Sequence, residues 1–347
     1  MRWGKEQPPQ LASTLRDPMD LFANRRDCSP SSPVEVRGIV TRREFRGGVS
    51  PAQMNVTFMR FCQRFSGFRA LAVRIPPSWY FRAAWWVVSL SSWFWPHAIR
   101  RGRIFRKLLR SNFSEKELST RTRRYLYHVC LFKDIEIAWS NWEARQEDWI
   151  TVDGESHLQD ALRQERGVML ISPHNYGFSK LVAPVLTSRG YRVLRGGNGG
   201  RKTIYRNTRW GANCKIGWQY LSYKGDYWHR VQLLKTIQNA LAANDIVHVS
   251  PRGYQQGEED TAIAFFGRKY FLDATWFRVF QICRAPVLPC FAINDADGKI
   301  KIIIHRPLAV TPKKMVQEFA EIQSRYITQL PECGRLWKSV YADRSRW

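Results

Sequence analysis

The sequence has few acidic residues for its size, with 29 Asp and Glu against 55 Lys and Arg, which gives a formal net charge of +26. So large a positive excess predicts an anionic partner: a nucleic acid, an anionic membrane surface or an acidic carrier protein. Cysteine is also sparse, since the seven cysteines are scattered and form no CxxC pair. This scatter argues against a disulfide framework or a zinc site and favours a reducing compartment.

Nucleotide-binding patterns are missing as well. The sequence contains neither the GxxxxGK[ST] motif nor a GxGxxG motif that opens a helix. It has no recognisable nucleic-acid-binding module, and its aromatic residues concentrate in an uncharged run. We therefore expect no nucleic acid partner, although basic residues interleaved with aromatics would suit one. No apolar core typical of a secretory signal opens the sequence.

The uncharged run is Ala83–Ala98, sixteen residues with four tryptophans, flanked by Arg82 and Arg100. It is shorter than the roughly 20 apolar residues of a spanning helix, and Pro96 interrupts it. Tryptophan prefers the headgroup boundary, and flanking arginines bind anionic lipid. A helix lying in one leaflet is the preferred interpretation, while a buried core helix and a full span stay open.

Three regions follow from composition. Residues 1–53 carry Arg, Pro, Ser and Gly with little apolar periodicity, which predicts a largely disordered basic tail. Residues 54–149 predict a helical membrane-association segment and basic connector, whose second long helix opens with a capping box at Ser114 and Glu117. Residues 150–347 alternate strands and helices, which is typical of an α/β core.

Within this core the alternation predicts a mostly parallel central sheet with helices on both faces. The predicted strands lie at 152–154, 168–171, 191–197, 245–249, 287–291 and 299–304. The predicted helices lie at 157–165, 176–186, 227–243 and 272–284.

His174 follows the strand Val168–Ile171 and precedes the helix expected from Tyr176. A polar residue between a parallel strand and its helix lies at the carboxyl edge of the sheet, where open α/β folds bind ligands. His174 is therefore a candidate catalytic residue, with a polar loop residue of no special role as the alternative. His248, inside an apolar strand, is predicted to be a hydrogen-bonded core histidine.

From about residue 60 to its end, the chain resembles the late acyltransferases of lipid A biosynthesis, the lauroyl and myristoyl transferases. These belong to the larger class of lysophospholipid and glycerol-phosphate acyltransferases, and the chain resembles a divergent member. The stretches that carry the resemblance are VDGESHLQDALRQERGVMLISPH (152–174), HNYGFS (174–179), VLRGGN (193–198), VSPRGYQQGEEDTAIAFFGRKYFLDATWFRVFQICRAPVLP (249–289) and LPECGRLWKSVYADR (330–344).

The resemblance implies transfer of a fatty acyl chain from acyl carrier protein or coenzyme A to a hydroxyl or amine of a membrane glycolipid. It implies no metal and no cofactor beyond the acyl thioester itself. It also implies a position at the cytoplasmic face of a bacterial inner membrane, peripheral or anchored by Ala83–Ala98, against its anionic surface.

The resemblance makes His174 the general base, which in this family is followed after four residues by Asp or Glu. Here that position is Ser179, and Arg252 stands where relatives usually have a second acid. Three hypotheses stay open. His174 acts alone, or with water and an acid from 258–260; Ser179 is a nucleophile that His174 activates; or the protein is a catalytically inactive relative that binds lipid or a partner.

The implied substrate-binding residues lie in the later stretches. Arg195 and Asn198 match an arginine and an asparagine of the second family motif, and an arginine there suits a phosphate or carboxylate. Arg252 lies in the third motif. Phe265 and Phe266 match a turn before a helix that lines the acyl groove, although aromatic pairs also fill ordinary cores. Trp337 is predicted to be structural.

Overall fold

The computed structural model describes residues 76–79, 81–83, 85–86, 96–174, 176–195, 227–251, 253–254, 261–272, 275–294, 299–309, 311–335 and 337. All of them belong to one structural unit, Asn55–Trp347. Several predictions fall outside the described residues. They are the basic tail at 1–53, most of the run at 83–98, the acids at 258–260, Asn198 and Arg252.

Within these described ranges, the bounds of nine strands and seven helices are defined. The strands are β1 Ile150–Asp153, β2 Val168–Ile171, β3 Val193–Arg195, β4 Ile246–Val249, β5 Gly253–Tyr254, β6 Ala262–Phe265, β7 Arg268–Leu272, β8 Val287–Asn294 and β9 Ile300–Ile304. The helices are α1 Pro96–Leu109, α2 Glu115–Trp142, α3 Glu155–Leu162, α4 Ser179–Ser188, α5 Tyr227–Ala242, α6 Thr275–Cys283 and α7 Pro312–Gln329. Short 3-10 helices span Glu143–Asp148 and Pro331–Cys333.

The main sheet has six strands in the order β1-β9-β8-β2-β4-β3. Strands β8, β2, β4 and β3 are mutually parallel, which agrees with the predicted parallel sheet. Strand β9 instead runs antiparallel to β8, and β1 pairs in parallel with β9. The reason is the short connection at 295–299, because a parallel crossover needs a dozen or more residues.

Strands β2 and β4 form the buried centre of this sheet. Every residue of Val168–Ile171 and Ile246–Val249 is buried, including the polar His248. A strand that is covered on both faces has no solvent side, so its sequence is a continuous apolar run rather than an alternation. Burial on both faces is therefore the reason why the sequence alone predicted these two strands.

A second sheet of three antiparallel strands, β5-β7-β6, lies between β4 and α6 in the chain and was not predicted. The turn between β6 and β7 is Phe266-Gly267, with φ of 46° and 68°. Two consecutive positive φ values suit the twist of a tight hairpin. Gly267 adopts this conformation at no steric cost, whereas Phe266 does so against the preference of its side chain.

The amino-terminal helices α1 and α2 pack on the core. Ser114 caps α2 by accepting a hydrogen bond of 3.3 Å from the backbone N–H of Glu117, as the capping box predicts. Phe105 of α1 stacks on Tyr125 of α2, with ring centroids 4.6 Å apart. Glu332, which is 4% exposed, accepts a hydrogen bond of 2.9 Å from Arg121. This pair joins α2 to the carboxyl-terminal region.

Before α1, helical backbone is described at 77–79, 81–83 and 85–86. Trp79 and Trp86 are 69% and 65% exposed, whereas Phe81 is buried. Trp85 contacts Tyr127 of α2 edge to face, at 5.4 Å between centroids. Among the described residues, no helix combines the length and the apolarity needed to cross a bilayer.

Candidate active site

His174 lies in an exposed turn that leaves the end of β2. The strand before it is wholly buried, and so is Pro173, so the chain emerges at His174. Strands β2 and β4 are parallel neighbours whose carboxyl ends lie at the same sheet edge. This is the position expected for a reactive side chain in an open α/β sheet.

The turn is held by residues from the carboxyl-terminal region of the chain. Arg335 donates a hydrogen bond of 2.7 Å from Nη2 to the carbonyl oxygen of His174. Tyr176 forms an antiparallel bridge with Gly334, and the N–H of Gly177 donates 2.9 Å to the carbonyl of Cys333. We call residues 331–335 the clamp segment, because its bonds hold the backbone on both sides of residue 175.

Three further hydrogen bonds anchor the same turn. The N–H of Phe178 donates 2.6 Å to the carbonyl of Ala292 in β8. The hydroxyl of Tyr176 donates to the carbonyls of Tyr326 and Leu330, at 2.7 and 2.9 Å. Gly177 has φ of 63°, and a Cβ at this position would collide with the Ala292 carbonyl oxygen. Hydrogen bonding therefore explains the tyrosine of the HNYGFS stretch, and the positive φ and close approach to β8 explain its glycine.

Ser179 is the first residue of α4 and is 4% exposed. The helix was predicted to begin at Tyr176, but it begins three residues later because Tyr176 and Gly177 are engaged by the clamp segment. Ser179 makes no side-chain cap to α4, whose N-cap residue is Phe178. The fifth residue after His174 is thus a buried serine, which offers a hydroxyl and no carboxylate.

Arg335 remains a cation at neutral pH. Burial, and secondarily the charge of Arg101, lower the pKa of Arg335 to about 10. Its donor group therefore stays protonated throughout the physiological range. Sequence reasoning missed this residue as part of the site, because nothing local to GRLWK indicates a contact with His174.

A buried histidine of α2 packs beneath the turn. His128 lies against the ring of Phe178, with centroids 4.4 Å apart, and its Nδ1 is 3.3 Å from Oδ1 of Asn294. Burial, and then the charge of Arg335, lower the pKa of His128 to about 3. The ring is therefore neutral at physiological pH. The sequence offered only one signal for it, a histidine within the apolar run YLYHVCLF.

A polar network occupies the same sheet edge. His248 is buried in β4, and its Nε2 is 2.7 Å from Oγ of Ser172, which is 3.0 Å from Oγ of Ser250. Arg195 ends β3 and lies beside His248 in the strand register. Its Nη1 donates 2.9 Å to the carbonyl of Lys180 at the start of α4. The prediction that His248 is a hydrogen-bonded core histidine is confirmed.

A family model described as bacterial lipid A biosynthesis acyltransferase matches residues 127–333. The chain belongs to this family. No curated protein matches it. The matched region begins within α2 and contains His174, the polar network and both sheets. Arg335 and Trp337 lie just beyond it, although both contact structure inside it.

The remaining site residues expected for this acyltransferase family fall into two groups. Phe265 is 4% exposed and packs edge to face on Trp337, at 5.9 Å, and Phe266 contacts both Trp337 and Phe113. Trp337 donates 2.8 Å from Nε1 to the carbonyl of Pro331, which supports its predicted structural role. The two phenylalanines thus support the clamp segment, and their place in an acyl groove stays a prediction.

Asn198 and Arg252 form the second group, since both lie outside the described residues of this family member. Within the described part of the chain, no group of three or more His, Cys, Asp and Glu could hold a metal ion. The described thiols of Cys283, Cys290 and Cys333 are free, and burial raises the pKa of each.

Proposed function

We propose that this acyltransferase family member moves a fatty acyl chain from an acyl carrier protein or coenzyme A thioester to a hydroxyl or amine of a membrane glycolipid, with His174 as general base. The observation that supports the proposal is the exposed His174 turn at the end of buried β2, held on both sides by hydrogen bonds. A base must be positioned before its pKa matters, and a fixed backbone limits where its ring can reach.

The proposed reaction has two steps. His174 takes the proton from the acceptor hydroxyl as its oxygen attacks the thioester carbonyl carbon, which forms a C–O bond and places negative charge on the carbonyl oxygen. Collapse of this intermediate breaks the C–S bond, and the departing thiolate accepts the proton from His174. The base is thereby returned to its neutral form. The reaction needs no metal and no cofactor besides the acyl thioester.

The serine at position 179 leaves the proposed base without a carboxylate partner, and this favours a second candidate function. A carboxylate beside a catalytic histidine stabilises imidazolium, and its loss from a hydrolytic triad costs on the order of 10⁴ in rate. A buried serine cannot supply that charge. The second candidate is therefore a catalytically inactive relative that binds lipid or a partner through the same fold.

We further propose a location at the cytoplasmic face of a bacterial inner membrane. The support is the net charge of +26 together with the exposed rings of Trp79 and Trp86. Aromatic rings of this kind suit the headgroup boundary, and basic residues suit anionic lipid or an acidic carrier protein. After cell fractionation we expect the full chain to pellet with membranes and to be released by detergent.

The decisive experiment compares the full chain with His174→Ala in cells and in detergent. We expect lipid mass spectrometry to detect an acylated lipid that disappears in the variant, while membrane fractionation and thermal stability stay unchanged. Equal turnover by His174→Ala refutes His174 as the base. Absence of turnover by the unaltered protein with both donor types, alongside retained lipid binding, supports the inactive relative instead.

A further inference from the structure

The polar network at the end of β4 lies on one face of the sheet. Arg195, His248 and Leu170 are register partners on β3, β4 and β2, so their side chains share a face. Ser172 and Ser250 each lie two residues further along their strands, and side chains two apart point to the same face. The strand register thus explains how three polar groups from β2 and β4 come into contact.

The proton positions in this network follow from burial. Burial, and then the charge of Arg195, hold the pKa of His248 well below its usual range, so the ring is neutral and carries one N–H. Nδ1 is buried and has no hydrogen-bond partner among the described residues. A buried N–H without an acceptor is costly and rare. The proton therefore belongs on Nε2, which donates to Ser172.

The hydrogen bonds of the network then donate in one direction, from the buried His248 toward the half-buried Ser250. Oγ of Ser172 accepts from His248 at 2.7 Å. Because a hydroxyl buried as fully as that of Ser172 also needs an acceptor for its own hydrogen, that hydrogen is directed to Oγ of Ser250 at 3.0 Å. Ser250 accepts that bond and retains its own hydrogen for another acceptor. Donation along such a chain polarises each hydroxyl in turn and strengthens the last donor. Ser250 is half-buried at the carboxyl end of β4, next to the strand that ends at the His174 turn.

We infer that Ser250 is a further substrate-binding residue, whose hydroxyl donates a hydrogen bond to an oxygen of the substrate, with Ser172 and His248 as positioning residues. This inference rests on the proposed function. The substrate oxygen is a strong acceptor, either the thioester carbonyl as it becomes an oxyanion or a phosphate oxygen of the acceptor lipid. A donor oriented before substrate arrives suits both, since preorganised donors stabilise developing or fixed negative charge.

The relay can be tested without any turnover. Nitrogen-15 spectra of the histidine-labelled full chain in detergent micelles, with His248→Gln used for assignment, report which ring nitrogen carries the proton. We expect His248 as the Nε2–H tautomer from pH 6 to 8. Finding the Nδ1–H tautomer reverses the donation and overturns the proposal, whether or not the protein is an enzyme.

The ligand is tested with two probes, inorganic phosphate and decanoyl-pantetheine, a thioester that contains no phosphate. We expect one of them to shift the His248 Nε2–H resonance in the unaltered protein and not in Ser250→Ala. The probe that acts identifies the source of the oxygen. If neither probe moves the resonance, or if both proteins respond alike, Ser250 is not the donor.

Kinetics provide the third readout. We expect Ser250→Ala to lower kcat/KM at least about tenfold and Ser250→Thr, which keeps the hydroxyl, to retain most activity. A decrease in kcat indicates the thioester carbonyl, and an increase in KM for the lipid indicates its phosphate. Ser111→Ala, at an exposed serine, is the matched control. Equal activity of the two alanine variants overturns the proposal, whereas an inactive unaltered protein rejects only the proposed function.

Discussion

Arg335 donates a hydrogen bond of 2.7 Å to the backbone carbonyl of His174, a residue 161 positions earlier in the chain. The bond reaches the main chain of the proposed base, so it fixes the turn that carries the imidazole. The other bonds of the clamp segment, from Gly334 and Cys333, act on the two residues after position 175. Together they make the geometry of the site depend on a distant part of the sequence.

Replacing Arg335 by methionine keeps a long, unbranched aliphatic stem and removes the guanidinium that donates the hydrogen bond. A hydrogen bond from a charged group contributes about 1.5–3 kcal/mol, so we expect roughly a 10- to 100-fold loss of acyl transfer and faster amide exchange at residues 174–178. Hydrogen exchange and kinetic assays measure the two effects. Arg325→Met, at an exposed arginine of α7, serves as the control and is expected to leave both unchanged.

Gly177→Ala tests the close approach of the turn to β8. Both Gly177 and Gly190 have positive φ, but only at Gly177 would a Cβ meet backbone, the carbonyl of Ala292. Both alanine variants carry the left-handed penalty of about 1–2 kcal/mol, and the collision adds about 1–3 kcal/mol at Gly177. Denaturant unfolding measures the difference, and equal destabilisation of the two variants contradicts the described packing.

Ser179→Glu introduces the carboxylate that the resemblance to the acyltransferase family implies at this position. The first residue of α4 lies at the positive end of the helix dipole, which offsets part of the cost of burying the charge. We expect faster acyl transfer, with no gain in the isosteric Ser179→Gln. If both variants match the unaltered protein in turnover assays, the missing acid does not limit the reaction.

Glu332→Gln removes the charge that joins α2 to the clamp segment. Glu332 is buried and lies 2.9 Å from Arg121 and 3.7 Å from Arg124. Removing one partner of a buried pair costs about 3–5 kcal/mol, and the partly exposed Arg121 places the expected loss near the lower end. The exposed pair Arg163–Asp160 gives the control, because Asp160→Asn should change the free energy of unfolding by less than about 1 kcal/mol.

From the buried, neutral His128 we expect the free energy of unfolding to fall in acid. Its pKa is about 3 in the folded protein and near 6.5 when unfolded, so the unfolded chain binds a proton first as the pH falls. The stability that the neutral ring contributes is complete above pH 6.5 and declines toward pH 3, by about 1.4 kcal/mol per unit for this histidine. Urea unfolding between pH 7.5 and 5.5 should show a shallower decline in His128→Gln. Parallel curves for the two proteins contradict a neutral buried His128.

The parts of the fold that sequence predicted well are those that local chemistry determines. The central strands β2 and β4 are buried on both faces, so their apolar runs were unambiguous, and Ser114 capped its helix as expected. Strand β9 was predicted at 299–304, but its antiparallel direction and the three-stranded sheet were missed. Their short connections and alternating burial carry weaker local signals than a long apolar run.

The candidate site was predictable only in part, for the same reason. The change from strand to helix located His174 at a sheet edge, which the structure agrees with. The partners of that turn could not be predicted, because Arg335 and Ala292 meet it through tertiary packing across more than a hundred residues. The contact of Ser172 with His248 likewise depends on the register of β2 against β4.

The separation of 161 positions between His174 and Arg335 also has a consequence for biosynthesis. At ordinary rates of translation the ribosome needs roughly 10 to 30 s to travel that distance. Throughout this interval the histidine has been made but its clamp has not, so the turn that carries it can reach its described geometry only after the carboxyl-terminal region has been synthesised.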